Sequence, residues 1–312
     1  MKTALIFPGQ GSQYIGMGQD FYSKYEVSKQ IMDNLDNAIG RELTKEIFTG
    51  KEADISKTQN AQPAIMATSI SIFCALKDEK LISEKSFQCV AGHSLGEYSA
   101  LVANNSLQFT DSVKLLKVRS KAMQDSMPLG TGGMIAILGS SEENINKAIK
   151  DARNYGKIFI ANDNAKGQIV LSGEMNAIDF ICSNFKELGI KKAIKLPVSA
   201  PFHCDLIYQA SEKLEQEISN YKFSKFSVPL YSNVTSSICN EDEISELLVK
   251  QITSKVRWRE IVENMILDNI ENFIEIGPNN VLTGLVKRIN RDVNTISISK
   301  LEDLDKLAKM TL

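Results

Sequence analysis

Histidine is scarce in this chain. His93 and His203 are the only two among 312 residues, which argues against a multi-histidine metal centre. Cysteine is sparse too: Cys74, Cys89, Cys182, Cys204 and Cys239 are odd in number, widely spaced and without a CxxC. That pattern argues against a disulfide framework or a cysteine zinc site, and it fits a reducing compartment. No apolar run is long enough to span a membrane, and the run before Pro8 is too short for a signal peptide. Neither sign of charge is in excess. With 36 basic against 38 acidic side chains and a formal charge of −2, the chain has no bulk attraction to nucleic acid or anionic membrane. Repeats and low-complexity segments are also missing. What is present is ordinary globular composition, 43% hydrophobic and 24% charged, with ample apolar surface for a core. The expectation is a cytoplasmic protein of one large domain or two unequal ones.

Thr3 to Phe7 reads as a buried strand stopped by Pro8-Gly9, and Phe87 to Ala91 as a second strand closed by Gly92. Helical patterns lie around residues 19–39 and 63–77, and another helix starts at Glu97. Strand then helix, repeated, is the signature of a parallel α/β sheet. Between 129 and 198 the rhythm changes. Gly133 to Leu138 reads as a strand, and Ser141 to Arg153 as a helix with a Ser cap and Glu three residues on. Strands Lys157 to Ala161 and Gln168 to Ser172 follow, then a helix from Glu174 to Leu188 and a strand from Lys191 to Val198. The order βαββαβ predicts a ferredoxin-like unit over 129–198, inserted into a larger α/β-hydrolase-like domain with a parallel sheet (1–128 and 199–312). The larger unit resumes with helices around 205–219 and 242–250 and strands near 227–231 and 272–276.

Gly92-His93-Ser94-Leu95-Gly96 matches G-x-S-x-G. The bare pattern arises by chance in roughly one chain in ten of this length. Its context is the stronger signal: it follows a strand and opens a helix, the turn that exposes a nucleophilic serine above an α/β sheet. The Leu95 N–H, at the helix start, points where charge develops on an acyl oxygen. An ordinary glycine-bracketed turn is the bland alternative. His93 should point away from the Ser94 hydroxyl, which leaves His203 as the base, in a loop after a predicted strand. Position alone does not separate that role from a core or surface imidazole. The loop Pro8-Gly9-Gln10-Gly11-Ser12-Gln13 fails the dinucleotide fingerprint, because Tyr14 stands where Gly is needed, and it fails the P-loop pattern as well. It can instead present a second oxyanion N–H.

Arg119 lies in a helix read over 111–124. With Leu115 at zero and about 100° per residue, Leu116, Val118, Ala122 and Met123 span about −60° to +100°, and Arg119 falls inside that arc at about +40°. A guanidinium on an apolar face needs a carboxylate or carbonyl partner. A structural ion pair, a snorkelling side chain and a bidentately held substrate carboxylate all satisfy that need.

These motifs, together with Glu97-Tyr98, Ala161-Asn162, Ala200-Pro201-Phe202-His203 and Phe273-Ile274-Glu275-Ile276-Gly277-Pro278, occur in an order that resembles the stand-alone malonyl-CoA:acyl carrier protein transacylases of type II fatty acid synthesis. The resemblance runs from residue 3 to about 290. It implies ping-pong acyl transfer with Ser94 as nucleophile and His203 as general base and later acid. It also implies an oxyanion hole from the Gln10 and Leu95 N–H groups, and a malonyl carboxylate gripped by Arg119 with Asn162 and His93 nearby. The implied partners are malonyl-CoA and a transiently bound acyl carrier protein, with no cofactor, because thioester exchange is nearly balanced in energy.

Two departures from the family pattern stand out. Arg257 occupies the place before Trp258 where relatives often carry Gln, in a segment that orients the catalytic histidine through a main-chain carbonyl. The Pro278-Asn279-Asn280 turn is less glycine-rich than usual. Phe202 resembles malonyl-selective members, where its bulk leaves little room for an α-methyl group. The alternatives are a serine thioesterase or hydrolase, an acyltransferase domain of polyketide-type synthesis, and a silent docking module; the start at Met1 favours a free-standing protein. Lys186, Lys191, Lys192 and Lys195 are a candidate basic patch for an acidic carrier, or simply solvated lysines.

Overall fold

Ten strands run through a computed structural model that describes residues 1–198 and 200–308. They are β1 (Lys2–Phe7), β2 (Cys89–Gly92), β3 (Gly132–Leu138), β4 (Ile158–Ala165), β5 (Gln168–Glu174), β6 (Lys192–Lys195), β7 (Leu230–Tyr231), β8 (Ile238–Cys239), β9 (Ile270–Ile276) and β10 (Asn294–Ile298). They form two sheets, one of six strands in the order β10-β9-β1-β2-β7-β8 and one of four in the order β4-β5-β3-β6. β1 reads as a continuous apolar run because helices cover both faces of its sheet; Ala4, Leu5, Ile6 and Phe7 are all buried. Phe7 pairs in register with Gly92, so the loops after β1 and β2 leave the sheet side by side at its carboxyl edge.

The larger sheet is mixed, which corrects the expectation of a parallel one. β8 pairs antiparallel with β7 through a short hairpin, while every other pair in that sheet is parallel. In the four-stranded sheet every pair is antiparallel. That sheet docks on the rest of the chain through β4. Asp163 N–H donates to the Val256 carbonyl at 2.9 Å, Val256 N–H to the Ala161 carbonyl at 2.8 Å, and Arg259 pairs with the Asp163 carboxylate at 2.8 Å. Asn162 is held between the two bonds.

Several boundaries move for local reasons. The helix read from residue 63 begins at Thr58, because its first turn is polar yet buried (Asn60 5% and Gln62 1% exposed) and carries no apolar signal. The helix read over 19–39 breaks at Tyr25, whose backbone is extended. Ser141 caps the helix Glu142–Ala152 by accepting from the Asn144 N–H, so the residue three positions on is Asn rather than Glu. The strand read over 191–198 is confined to Lys192–Lys195. Ser199, where the larger unit was expected to resume, lies outside the described residues, as do the last four, 309–312. Helices Leu43–Thr49, Trp258–Leu267 and Val281–Ile289 were not anticipated.

Candidate active site

Ser94 leads from β2 into the helix Gly96–Ala103 with φ 52°, in the left-handed region. A serine there is strained and holds only where its surroundings over-determine it. The flanking glycines are demanded by packing. A Cβ on Gly92 would fall 1.8 Å from the Gly96 carbonyl carbon, and one on Gly96 would fall 2.2 Å from the Phe7 oxygen. A Cβ on Gly9 would lie 2.6 Å from the His93 oxygen, so the loop after β1 rests directly on the serine turn.

Ser94 Oγ lies 2.8 Å from His203 Nε2, although 109 residues separate them. His203 is 5% exposed, and its Nδ1 lies 2.9 Å from the Gln251 carbonyl oxygen. A carbonyl only accepts, so Nδ1 carries the proton; in the neutral ring Nε2 then accepts from the serine hydroxyl. Burial, with the Arg119 charge adding to it, pushes the His203 pKa down to about 3. The imidazole is therefore neutral at physiological pH and poised as an acceptor. The carbonyl that orients it belongs to Gln251, which corrects the expectation of the 256–258 segment. Arg257 instead turns outward to Glu260 and to the Val234 and Thr235 carbonyls.

Arg119 is wholly buried in the helix Phe109–Asp125, on the face that the helical period assigned to it. Its partners are not carboxylates. Nη1 donates to Gln62 Oε1 at 2.7 Å, and Nη2 donates to Gln251 Oε1 at 2.8 Å and to Ser94 Oγ at 3.1 Å. Its Nε has no partner among the described residues, and the guanidinium stands 5.6 Å from the Tyr98 ring centroid. The serine oxygen thus accepts from a cation while its proton faces a neutral imidazole, an arrangement that favours alkoxide character at Oγ.

Ser94 and His203 open on a cleft of about 190 Å³ lined by Gln10, Gln62, His93 and Asn162, with Met123, Val170 and Phe202 as its apolar side. Arg119 lies just behind Gln62 and Ser94. The Gln10 and Leu95 N–H groups carry no hydrogen bond among the described residues. His93 bonds elsewhere than to the serine hydroxyl: its Nε2 meets Asn164 Oδ1 at 2.8 Å, and its ring lies 5.7 Å from Trp258. A second hollow of about 520 Å³, with Lys150, Arg153 and Lys255 in its wall, opens on another side of His203. Among the described residues no cluster of His, Cys, Asp or Glu could hold a metal ion, and no helix is long and apolar enough to cross a membrane.

Four site residues were missed: Gln62, Asn164, Asn233 and Gln251. All four are amides on separate segments, and no spacing ties them to Ser94. Glu97, in the motif after the serine turn, is a buried carboxyl. Glu97 is 1% exposed, and burial pushes its pKa up to about 7 against the pull of the Gln251 and Asn233 donors.

Comparison with known proteins bears on this geometry. The acyl transferase domain model matches residues 4–303. The malonyl CoA-acyl carrier protein transacylase of Bacillus subtilis is 39% identical, over 100% of this chain and 97% of its own. That of Escherichia coli is 36% identical, over 98% of each chain. The crystal structure of an acyl-carrier-protein-S-malonyltransferase from Bartonella henselae superposes with a TM-score of 0.94 at 37% identity, covering 98% of both chains. A malonyl-transacylase solved in complex with its type II polyketide acyl-carrier protein matches with a TM-score of 0.94 at 34% identity, over 98% of this chain and 99% of that one.

Proposed function

The chain belongs to the acyl transferase domain family, among the malonyl CoA-acyl carrier protein transacylases, and we propose that it moves malonyl from coenzyme A to a carrier-protein thiol through an ester on Ser94. Ser94 gives its proton to His203 Nε2 as Oγ attacks the thioester carbonyl. The oxyanion of the tetrahedral intermediate lies at the Gln10 and Leu95 N–H groups. Collapse breaks the C–S bond, and the coenzyme A sulfur leaves with the proton from His203. In the second half the carrier's phosphopantetheine thiol passes its proton to His203 and attacks the malonyl ester. Ser94 then departs and recovers the proton. The ester separates the two thiol substrates in time, so one cleft serves both.

Arg119 takes the malonyl carboxylate, with His93 and Asn162 in the surrounding wall. The observation that carries this reading is the buried guanidinium, bonded directly to no carboxylate among the described residues, 3.1 Å from the hydroxyl that a neutral histidine contacts at 2.8 Å. A hydrolase for neutral acyl groups has no use for that cation, whereas acetyl in this site would leave it unpaired.

The βαββαβ order with sheet order β4-β5-β3-β6 supports a ferredoxin-like unit over residues 129–198, set into a larger hydrolase-like unit over 1–128 and 199–312, in a cytoplasmic enzyme. Steady-state assays with malonyl-CoA and a phosphopantetheinylated carrier protein test the reading. Parallel double-reciprocal lines, with malonyl appearing on the carrier, are expected. Intersecting lines, or free malonate as the main product, would overturn it.

A further inference from the structure

Ser94 is clamped at both ends of its strained backbone by side-chain amides. Its N–H donates to Asn233 Oδ1 at 2.7 Å, and its carbonyl accepts from Gln251 Nε2 at 3.0 Å. Asn233 Nδ2 also donates to the Gly92 carbonyl at 2.7 Å. Gln251 does more. Its Oε1 holds Arg119, and its main-chain oxygen holds His203 at 2.9 Å. One wholly buried residue therefore touches the nucleophile, the base and the cation.

Such an amide works only in one orientation. Turned over, its NH2 would face the Arg119 donors and its oxygen would face the Ser94 carbonyl. Glu97 resists that turn, because its Oε2 accepts from Gln251 Nε2 and its Oε1 accepts from the Asn233 main-chain N–H at 3.3 Å. The carboxyl also stands one amide away from Arg119, in the order guanidinium, Gln251, carboxyl. A direct ion pair would occupy the fork that a substrate carboxylate needs. The intervening amide keeps the compensating charge close while leaving the fork to be shared.

We propose that Glu97, which touches none of the reacting atoms, is a positioning residue that fixes the Gln251 amide and so aligns Ser94 and Arg119 for a carboxylated acyl group. This rests on the reading of Ser94 as the acylated residue. Glu97→Gln keeps the shape but leaves one of the two keyed donors facing another donor. Because burial disfavours the charged carboxyl, this variant should melt at pH 8 no lower than the wild type, while malonylation of Ser94 slows at least tenfold. A residue kept for stability alone would show the reverse, and malonylation at the wild-type rate would overturn the proposal.

If Glu97→Gln does not fold, the double variant Glu97→Gln/Gln251→Glu decides. It restores a carboxyl–amide pair but sets the carboxylate directly on Arg119. The expected result is a KM for malonyl-CoA raised at least tenfold and a lost preference over acetyl-CoA; wild-type KM and preference would overturn the proposal. A wild-type enzyme that takes no malonyl on Ser94 would overturn the reading beneath it, and the proposal with it.

Discussion

His203 is neutral because it is buried, and that gives a signed expectation. Its folded pKa of about 3 is depressed from the usual 6.5, so as pH falls below 6.5 the unfolded chain binds the proton first. The stability it confers is present above 6.5 and is lost as pH falls towards 3. Between pH 6 and 4 the wild type should lose stability relative to His203→Ala by roughly 1.4 kcal/mol per pH unit, measured by urea unfolding of both proteins. Parallel curves would mean that the ring is hydrated or already charged. The same substitution should slow malonyl transfer by roughly 10²–10⁴-fold, since a serine without its base is a poor nucleophile. Arg119→Ala should lower the malonyl-over-acetyl preference roughly tenfold or more. The preference is a ratio within one sample, so partial unfolding does not move it, and an unchanged ratio would remove the carboxylate grip.

At the scale of elements, the site was legible where chemistry coincides with local pattern. The strand–turn–helix around Ser94 is written in consecutive residues, and the burial of Arg119 follows from one helical period. The amides escaped because their signal is tertiary. Gln251 ends the helix Ile244–Gln251, Asn233 lies just beyond β7, and only the fold brings them to Ser94. Gln62 was hidden by a polar first turn that the loop after β1 covers. Most strands were legible in chain order, but β8 (Ile238–Cys239) and β10 (Asn294–Ile298) were not. The tight seat of that loop on the serine turn is itself testable. Gly9→Ala places a methyl 2.6 Å from the His93 oxygen, which should lift Gln10 away and lower kcat at least tenfold with the fold intact by circular dichroism. Normal kcat would show that the Gln10 N–H is not needed.

For the molecule as a whole, the near-neutral charge leaves partner recognition to local patches. Lys195 is engaged with Asp179 at 2.9 Å, whereas Lys191 and Lys192 are exposed at the start of β6, on an edge of the smaller sheet. Reversing the charge of both should raise KM for an acidic carrier protein and leave KM for malonyl-CoA alone; two unchanged constants would return these lysines to ordinary solvated surface. A covalent, acid-selective acyl-serine is the centre of the proposed transfer. The direct measurement is intact and peptide mass after incubation with malonyl-CoA or acetyl-CoA, without carrier protein. A malonyl adduct on the Ser94 peptide, absent with acetyl-CoA, is the expected result. Malonyl on another residue, equal labelling by both acyl groups, or no adduct at all would contradict it.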